Sequence, residues 1–450
     1  MGYINVSALW FWPFMPAAAP KIDGTTDLTQ IYPPCPRPVP EIQAKDPKPV
    51  PLPAEMIVSI LEAAYYTPTL EPDTDLLLAC SVVCKAWAAP AQTLLFQSII
   101  LRSQRAYIAF SEAVDCSTER GRALGQCVHS LRAIIDPSQP FRLLPRSFAR
   151  TATLCPNLQE IDLSLYGARA IESEASEYPL SLERSKAPMS SFDATTLSLL
   201  RAGPAITSLR FSNWSENADA LPQLLSIWPS LRSLTLRGLP PLMSEPPAQA
   251  ALFPSALHTL HLNLQPAPSP EFLDWLLHTT RSASSLRSLE LARQPDPRVL
   301  EKLLTAHGST LTSLALPAIR SAELSMVTSA CPHLAALRIE HPWAGPAIFR
   351  RAPKELSRIA LGIDEGTPLG PVLDLVRSRE AVSAVTVLVW RTGENHPQVG
   401  DLRKLCVSKG VEIRVVKNVE QFRALVRADP APCSTVLDHH NDVALTGVEC

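Results

Sequence analysis

Few side chains in this sequence have the types and spacing that chemistry demands. Cys433, His439, His440 and Cys450 supply two thiols and two imidazoles, the donor types of a zinc site, yet adjacent histidines in a polar tail have no fixed shell to hold the ion. Cys80 and Cys84 lie four residues apart on one face of a predicted helix, and their apolar neighbours favour packing over redox work. A cysteine nucleophile needs a shaped cleft and a base beside it; no cysteine here is framed that way. The sequence lacks G-x-x-x-x-G-K-[ST], H-E-x-x-H and a G-x-G-x-x-G between strand and helix, which argues against the common nucleotide and zinc-protease sites. No catalytic residue, metal or cofactor is therefore expected. What remains is recognition chemistry: single charges, Glu160, Asp162, Arg210, His261, Glu290, Arg338 and Arg358, each set beside a leucine or isoleucine of a short strand pattern.

That pattern is L-x-x-L-x-L, with clear copies in CPNLQEIDL, PAITSLRF, PSLRSLTL, SALHTLHL, SSLRSLEL, STLTSLAL and CPHLAALRI. The lead residues Leu158, Ile206, Leu231, Leu257, Leu286, Leu311 and Leu334 follow a first gap of 48 at intervals of 25, 26, 29, 25 and 23, by difference of those positions. The period lies in the leucine-rich-repeat range. Weaker copies flank the run (VHSLRAI, ELSRIAL, VSAVTVLV, VEIRVV), and EFLDWLLHTT, PRVLEKLLTAHG and PVLDLVRS read as intervening amphipathic helices. One helix–strand unit cannot bury its leucines alone, whereas stacked units share a core and present their strands as a curved wall. Side chains alternate along a strand, so the positions flanking the central leucine face the concave, solvent side. The wall is expected to carry acidic residues toward its first repeats and arginines toward its last, suited to a protein surface. A polar loop (IESEASEYPLSLERSKAPMSS) is predicted near 168–192, and NVEQFRALVRADP is predicted as a last helix shielding the open end of the array.

A different pattern precedes the array. Leu52-Pro53 opens a predicted helix with Ile57, Ile60, Leu61 and Ala64 at helical spacing; Asp73 or Thr74 caps a second with Leu76, Leu77, Cys80 and Val83; a third begins near Cys84, with Trp87 facing inward. Three short helices bury little surface by themselves, so such a unit needs a partner or an adjoining domain.

This segment resembles the F-box in the order Leu52, Pro53, Glu55, Ile57, Ile60, Leu61, Asp75, Leu76, Leu77, Val83, Cys84 and Trp87. It departs in Met56, beside the expected isoleucine, and in a longer break from Tyr65 to Thr74. With the repeats it looks like a leucine-rich-repeat F-box protein over roughly 52 to 417, CPNLQEIDL and CPHLAALRI matching the cysteine-bearing repeat subtype. The resemblance implies an α/β fold: a three-helix F-box-like module followed by a helix–strand solenoid. It implies binding to the Skp adaptor, and through it to a cullin scaffold, by Leu52, Pro53, Ile57, Ile60, Leu61, Leu76 and Val83, part of this set packing the module internally. The concave charges named above would meet an unknown substrate protein, and the chain would be a noncatalytic adaptor of a ubiquitin ligase. The alternatives are a scaffolding repeat protein outside any ligase, and an enzyme with its site in loops of the wall.

Composition bounds these readings. A length of 450 residues suits a small module plus a repeat array, and 41 Lys and Arg against 43 Asp and Glu leave a formal charge of −2, so nucleic acid is not an expected partner. Ten scattered cysteines without a tight framework point to a reducing compartment, cytosol or nucleus. VSALWFWPFMPAAA near the amino end has no Lys or Arg before it and is broken by Pro13 and Pro16, so it reads as neither export signal nor membrane span. The expected organisation is a Pro-rich arm over 1–50, the helical module over 51–100, the solenoid over 101–428 and a loose tail over 429–450.

Overall fold

The computed structural model describes residues 52–65, 73–167, 192–215, 217, 219–241, 253–319, 321–342, 349, 352–390, 393 and 396–427. The predicted arm, nearly all of the predicted polar loop, and the predicted tail with its two histidines lie outside the described residues.

The chain opens with helices α1 (Ala54–Ala64), α2 (Thr74–Val83) and α3 (Lys85–Gln97). Pro53 stands at the N-cap of α1, where its missing N–H costs nothing, and Glu55 complements the first turn's dipole. Of the two candidate caps for α2 the structure uses Asp73, whose carboxylate accepts from the Leu76 N–H at 3.0 Å. The Asp73 N–H donates to the Tyr65 carbonyl at 2.6 Å, which ties the ends of the longer break together. Cys84 is extended, with φ −162°, and turns the chain from α2 into α3.

From there helix and strand alternate. Among the described residues the strands form one twelve-stranded parallel sheet in sequence order. They are β1 (Ser98–Leu101), β2 (Ser130–Ile135), β3 (Glu160–Tyr166), β4 (Ser208–Trp214), β5 (Ser233–Gly238), β6 (Thr259–Leu264), β7 (Ser288–Leu291), β8 (Ser313–Leu316), β9 (Ala336–Ile339), β10 (Arg358–Ile363), β11 (Ala384–Val389) and β12 (Glu412–Val416). Helices α4 (Gln104–Ala113), α5 (Glu119–Cys127), α6 (Pro145–Leu154), α7 (Ala194–Ala202), α8 (Ala220–Leu225), α9 (Pro270–Ser282), α10 (Pro297–His307), α11 (Ser321–Ala330), α12 (Gly370–Ser378) and α13 (Pro397–Lys409) fall between strands, and α14 (Val419–Arg427) follows the last. This is the α/β leucine-rich-repeat solenoid that the period implied.

The register is constant. Arg132, Asp162, Arg210, Thr235, His261, Glu290, Ala315, Arg338 and Ala360 are successive Cα partners along one row of the concave face. Their neighbours Leu131, Ile161, Leu209, Leu234, Leu260, Leu289, Leu314, Leu337 and Ile359 point the other way into one core that runs unbroken from Ile57 and Leu61 of the helical module to Val411. Trp87 is half-buried against that core and helps join module to solenoid.

A second device locks neighbouring repeats. The residue before a lead leucine often carries a hydroxyl that donates to the lead residue of the preceding repeat: Ser230 to the Ile206 carbonyl at 2.9 Å, Ser285 to Leu257 at 2.7 Å and Thr310 to Leu286 at 2.7 Å. These bonds satisfy carbonyls that the sheet ladder leaves over. Gly238 ends β5 at φ +89°, where an added Cβ would sit 2.0 Å from the Asn213 carbonyl oxygen, and the turn lets the Leu239 N–H donate to that oxygen at 2.7 Å. Because the obstacle is backbone and the conformation disfavours any side chain, Gly238→Ala is expected to cost about 1–3 kcal/mol in urea unfolding. An unchanged midpoint would contradict this account of the turn.

Candidate functional site

Helix α1 carries two apolar stripes, not one. Ile57, Leu61 and Tyr65, each four residues on from the last, are buried against α3 and the core, and Leu77 of α2 joins them at 0% exposure. Leu52, Met56 and Ile60 repeat the same spacing one residue earlier and remain 47%, 51% and 42% exposed. At the junction of α2 and α3, Val82 and Val83 are 72% and 67% exposed, and Cys84 is exposed as well. Of the partner-contact residues expected from sequence, Leu52, Pro53, Ile60 and Val83 therefore face outward, Leu76 is half-buried, and Ile57 and Leu61 hold the module together. Met56 and Val82 belong with the outward set; the same i, i+4 spacing that marks the inner stripe could have found Met56.

The concave wall divides into three stretches. Over β2 to β5 it is open. Arg132 pairs with Asp162 at 3.6 Å and Arg210 with Glu160 at 2.8 Å; the guanidinium side chains are 48% and 55% exposed, the carboxylates beneath them 23% and 29%. The acidic residues expected toward the first repeats are here, but each is paired with an arginine, and the longer arginine side chains rise past the carboxylates.

Over β6 to β9 the wall closes on an ion chain. His261 Nε2 lies 3.1 Å from Glu290 Oε1, Arg338 Nη2 lies 2.6 Å from the same oxygen and 3.4 Å from Glu340 Oε1. Ala315 of β8, between Glu290 and Arg338 in the register, is small enough for the guanidinium to reach across it. His261, Glu290 and Arg338 were expected to face solvent; they are 5%, 7% and 2% exposed. Alternation along a strand gives the face on which a side chain lies, while burial depends on what covers that face.

Over β10 to β12 the cover is α14. Phe422 is 0% exposed and packs with Ala360, Leu388 and Val416, all on the concave side, with Val419 and Trp390 at the edge. Arg423 forks onto Glu340, Nε to Oε1 at 2.7 Å and Nη2 to Oε2 at 2.5 Å, and these bonds hold its guanidinium above the usual arginine range. The predicted last helix exists, but the seat of its buried face is the wall and not the open end of the array. Arg358 is half-buried within this region.

Three cysteines elsewhere among the described residues are held in the core. Burial pushes the Cys155 and Cys331 thiols, which open the two cysteine-bearing repeats, up to about 12, far from the thiolate form that reacts at neutral pH. Cys406 is shifted upward for the same reason. Among the described residues no group of three or more His, Cys, Asp or Glu is placed to hold a metal, and no helix is long and apolar enough to cross a membrane. A cleft between α9 and α10, lined by Leu277, Arg281, Leu303 and His307, encloses about 30 Å³, room for one or two waters.

His307 has a measurable consequence. Burial first, and Arg281 second, push its pKa down from 6.5 to about 4. Between those values the unfolded chain binds a proton that the folded chain refuses, so this residue's contribution to stability is intact above about 6.5 and lost as pH falls to about 4, a change of about 3 kcal/mol. His307→Gln should flatten the stability curve over that window. An identical pH dependence in both proteins would contradict it.

No protein-family model matches the sequence and no curated protein matches it. Among solved structures, the complex of TLR13 with ssRNA13 is similar with 15% identity and a TM-score of 0.28 over 66% of this chain and 37% of that chain. The chain thus spans well under half of that relative. The complex of Rad7 and Elc1 in yeast is similar with 12% identity and a TM-score of 0.32 over 80% of this chain and 91% of that chain. At those scores neither likeness carries any part of the functional argument.

Proposed function

We propose that the chain is a noncatalytic substrate-recognition adaptor of a Skp–cullin–F-box ubiquitin ligase, binding the Skp adaptor through its helical module and a target protein through its repeat wall. One observation carries the reading: a module with the F-box-like pattern is folded onto the solenoid core and still leaves Leu52, Met56, Ile60, Val82 and Val83 turned to solvent. Large apolar side chains grouped on one small module mark an interaction surface. Covering five half-exposed residues of this kind contributes on the order of 5 kcal/mol. Fusion to the solenoid through α3 supplies the stability that three short helices lack.

The mechanism is proximity. A target held on the wall, with the module fixed to the Skp adaptor and cullin, meets a ubiquitin-charged conjugating enzyme at raised local concentration, and no chemistry is required of the adaptor. The free cysteines among the described residues suit a cytoplasmic or nuclear setting. The rival reading is a repeat scaffold that binds the Skp adaptor, or nothing like it, without a ligase. Co-purification of wild type against a Leu52→Ala, Pro53→Ala double variant, scored for both Skp adaptor and cullin, separates them. The ligase reading expects both proteins with wild type and neither with the variant. Skp adaptor without cullin favours the scaffold, and full retention by the variant counts against the assigned face.

A further inference from the structure

The open stretch of wall is chemically the inverse of the closed one. Under α14 the wall supplies a carboxylate, Glu340, and the visiting helix supplies a guanidinium, Arg423, and an aromatic anchor, Phe422. Over β2 to β5 the wall itself supplies the exposed guanidinium groups: Arg132 and Arg210 stand above their carboxylates, and Arg237 is exposed on β5 beside Ser212 of β4. It also supplies aromatics. Tyr166 and Trp214 are Cα partners at the carboxyl ends of β3 and β4, on the same face as Asp162 and Arg210 by strand alternation, and are 39% and 49% exposed. Neighbouring strands lie about 4.8 Å apart, so the pair forms one ledge. Tyrosine, tryptophan and arginine are among the residue types that dominate binding energy in protein interfaces.

We propose that the β2–β5 wall binds an acidic linear segment of a partner protein, its carboxylates meeting Arg132, Arg210 and Arg237 and one apolar side chain resting on Tyr166 and Trp214. The segment takes the part that α14 takes farther along the same face, with the charges exchanged. A guanidinium donates two N–H bonds to one carboxylate, and Arg423 on Glu340 is this chain's own instance. A nucleic acid suits the surface less well, because Glu160 and Asp162 lie among the arginines: a peptide can set uncharged residues opposite those carboxylates and its own acids opposite the guanidinium groups, whereas a phosphate backbone carries charge at every step. The proposal rests on the adaptor reading in that it names the substrate class of the wall.

The test uses the full chain and three labelled probes in fluorescence anisotropy: a twelve-residue peptide in which Asp or Glu alternates with Ser around a single central Phe, the same peptide with Lys at every acidic position, and an oligouridylate of equal length. The acidic peptide should bind at least tenfold more tightly than the lysine peptide and the oligonucleotide, and more weakly as salt rises. An Arg210→Glu, Arg237→Glu variant should lose tenfold or more, and Trp214→Ala about fivefold, each with an unchanged thermal midpoint. Equal binding of the two peptides, indifference to both variants, or preference for the oligonucleotide would overturn the proposal. Skp adaptor capture, measured on the same variants, should be unaffected, because that face lies on α1 and α2. Failure of wild type to capture the Skp adaptor, with peptide binding intact, would sink the ligase reading and leave this surface standing.

Discussion

Arg338→Ala should lower the free energy of unfolding by about 3–5 kcal/mol, the cost of removing one partner from a buried ion pair. Arg338 is 2% exposed and is placed between the carboxylates of Glu290 and Glu340, whose side chains are 9% and 4% exposed. Removing it leaves two acidic groups on the same covered face, with His261 beside one and Arg423 beside the other. Adding Glu290→Gln should restore part of the loss, since the two substitutions act on one interaction and will not be additive. Urea unfolding with hydrogen exchange at β9 and β10 checks this. A change below about 1 kcal/mol would mean that this buried ion chain does not hold the wall together.

Phe422→Ala should cost about 3–5 kcal/mol, the usual penalty for truncating a fully buried phenylalanine, and the loss should be local. In a repeat array each unit contacts its neighbours, so a terminal element can come away without unfolding the rest. With Phe422 gone, the docking contacts left to α14 among the described residues include the Arg423–Glu340 fork and the edge contact of Val419. The expected result is faster proteolysis between β12 and α14 and faster exchange in α14, with α1 to β7 unchanged. Equal protection of α14 in both proteins would contradict its docking by this residue.

These two variants mark where the sequence stopped being legible. The leucine register could be read because it depends on residues within one repeat, and the spacing of Leu231, Leu257, Leu286 and Leu311 carries through to the twelve-stranded sheet. The helical module could be read for the same local reason. Which of its stripes is buried could not, because Met56 and Ile57 are alike in hydrophobicity and only the position of α3 distinguishes them. The wall failed in a similar way. His261, Glu290 and Arg338 alternate as an exposed strand should, yet they are buried in one ion chain that closes across Ala315 and ends at Glu340, which Arg423 grips from more than eighty positions away in sequence. NVEQFRALVRADP could be read as a last helix, expected to shield the open end; nothing local said that it would rest on the wall instead.

The central claim is that the outward stripe of the helical module is kept open for another protein. Hydrogen exchange on the full chain, alone and with purified Skp adaptor, tests it most directly. Exchange should slow in α1 and around the α2–α3 junction and nowhere along β2 to β12. Unchanged exchange in α1 and at that junction, with the adaptor present at high excess, would contradict it.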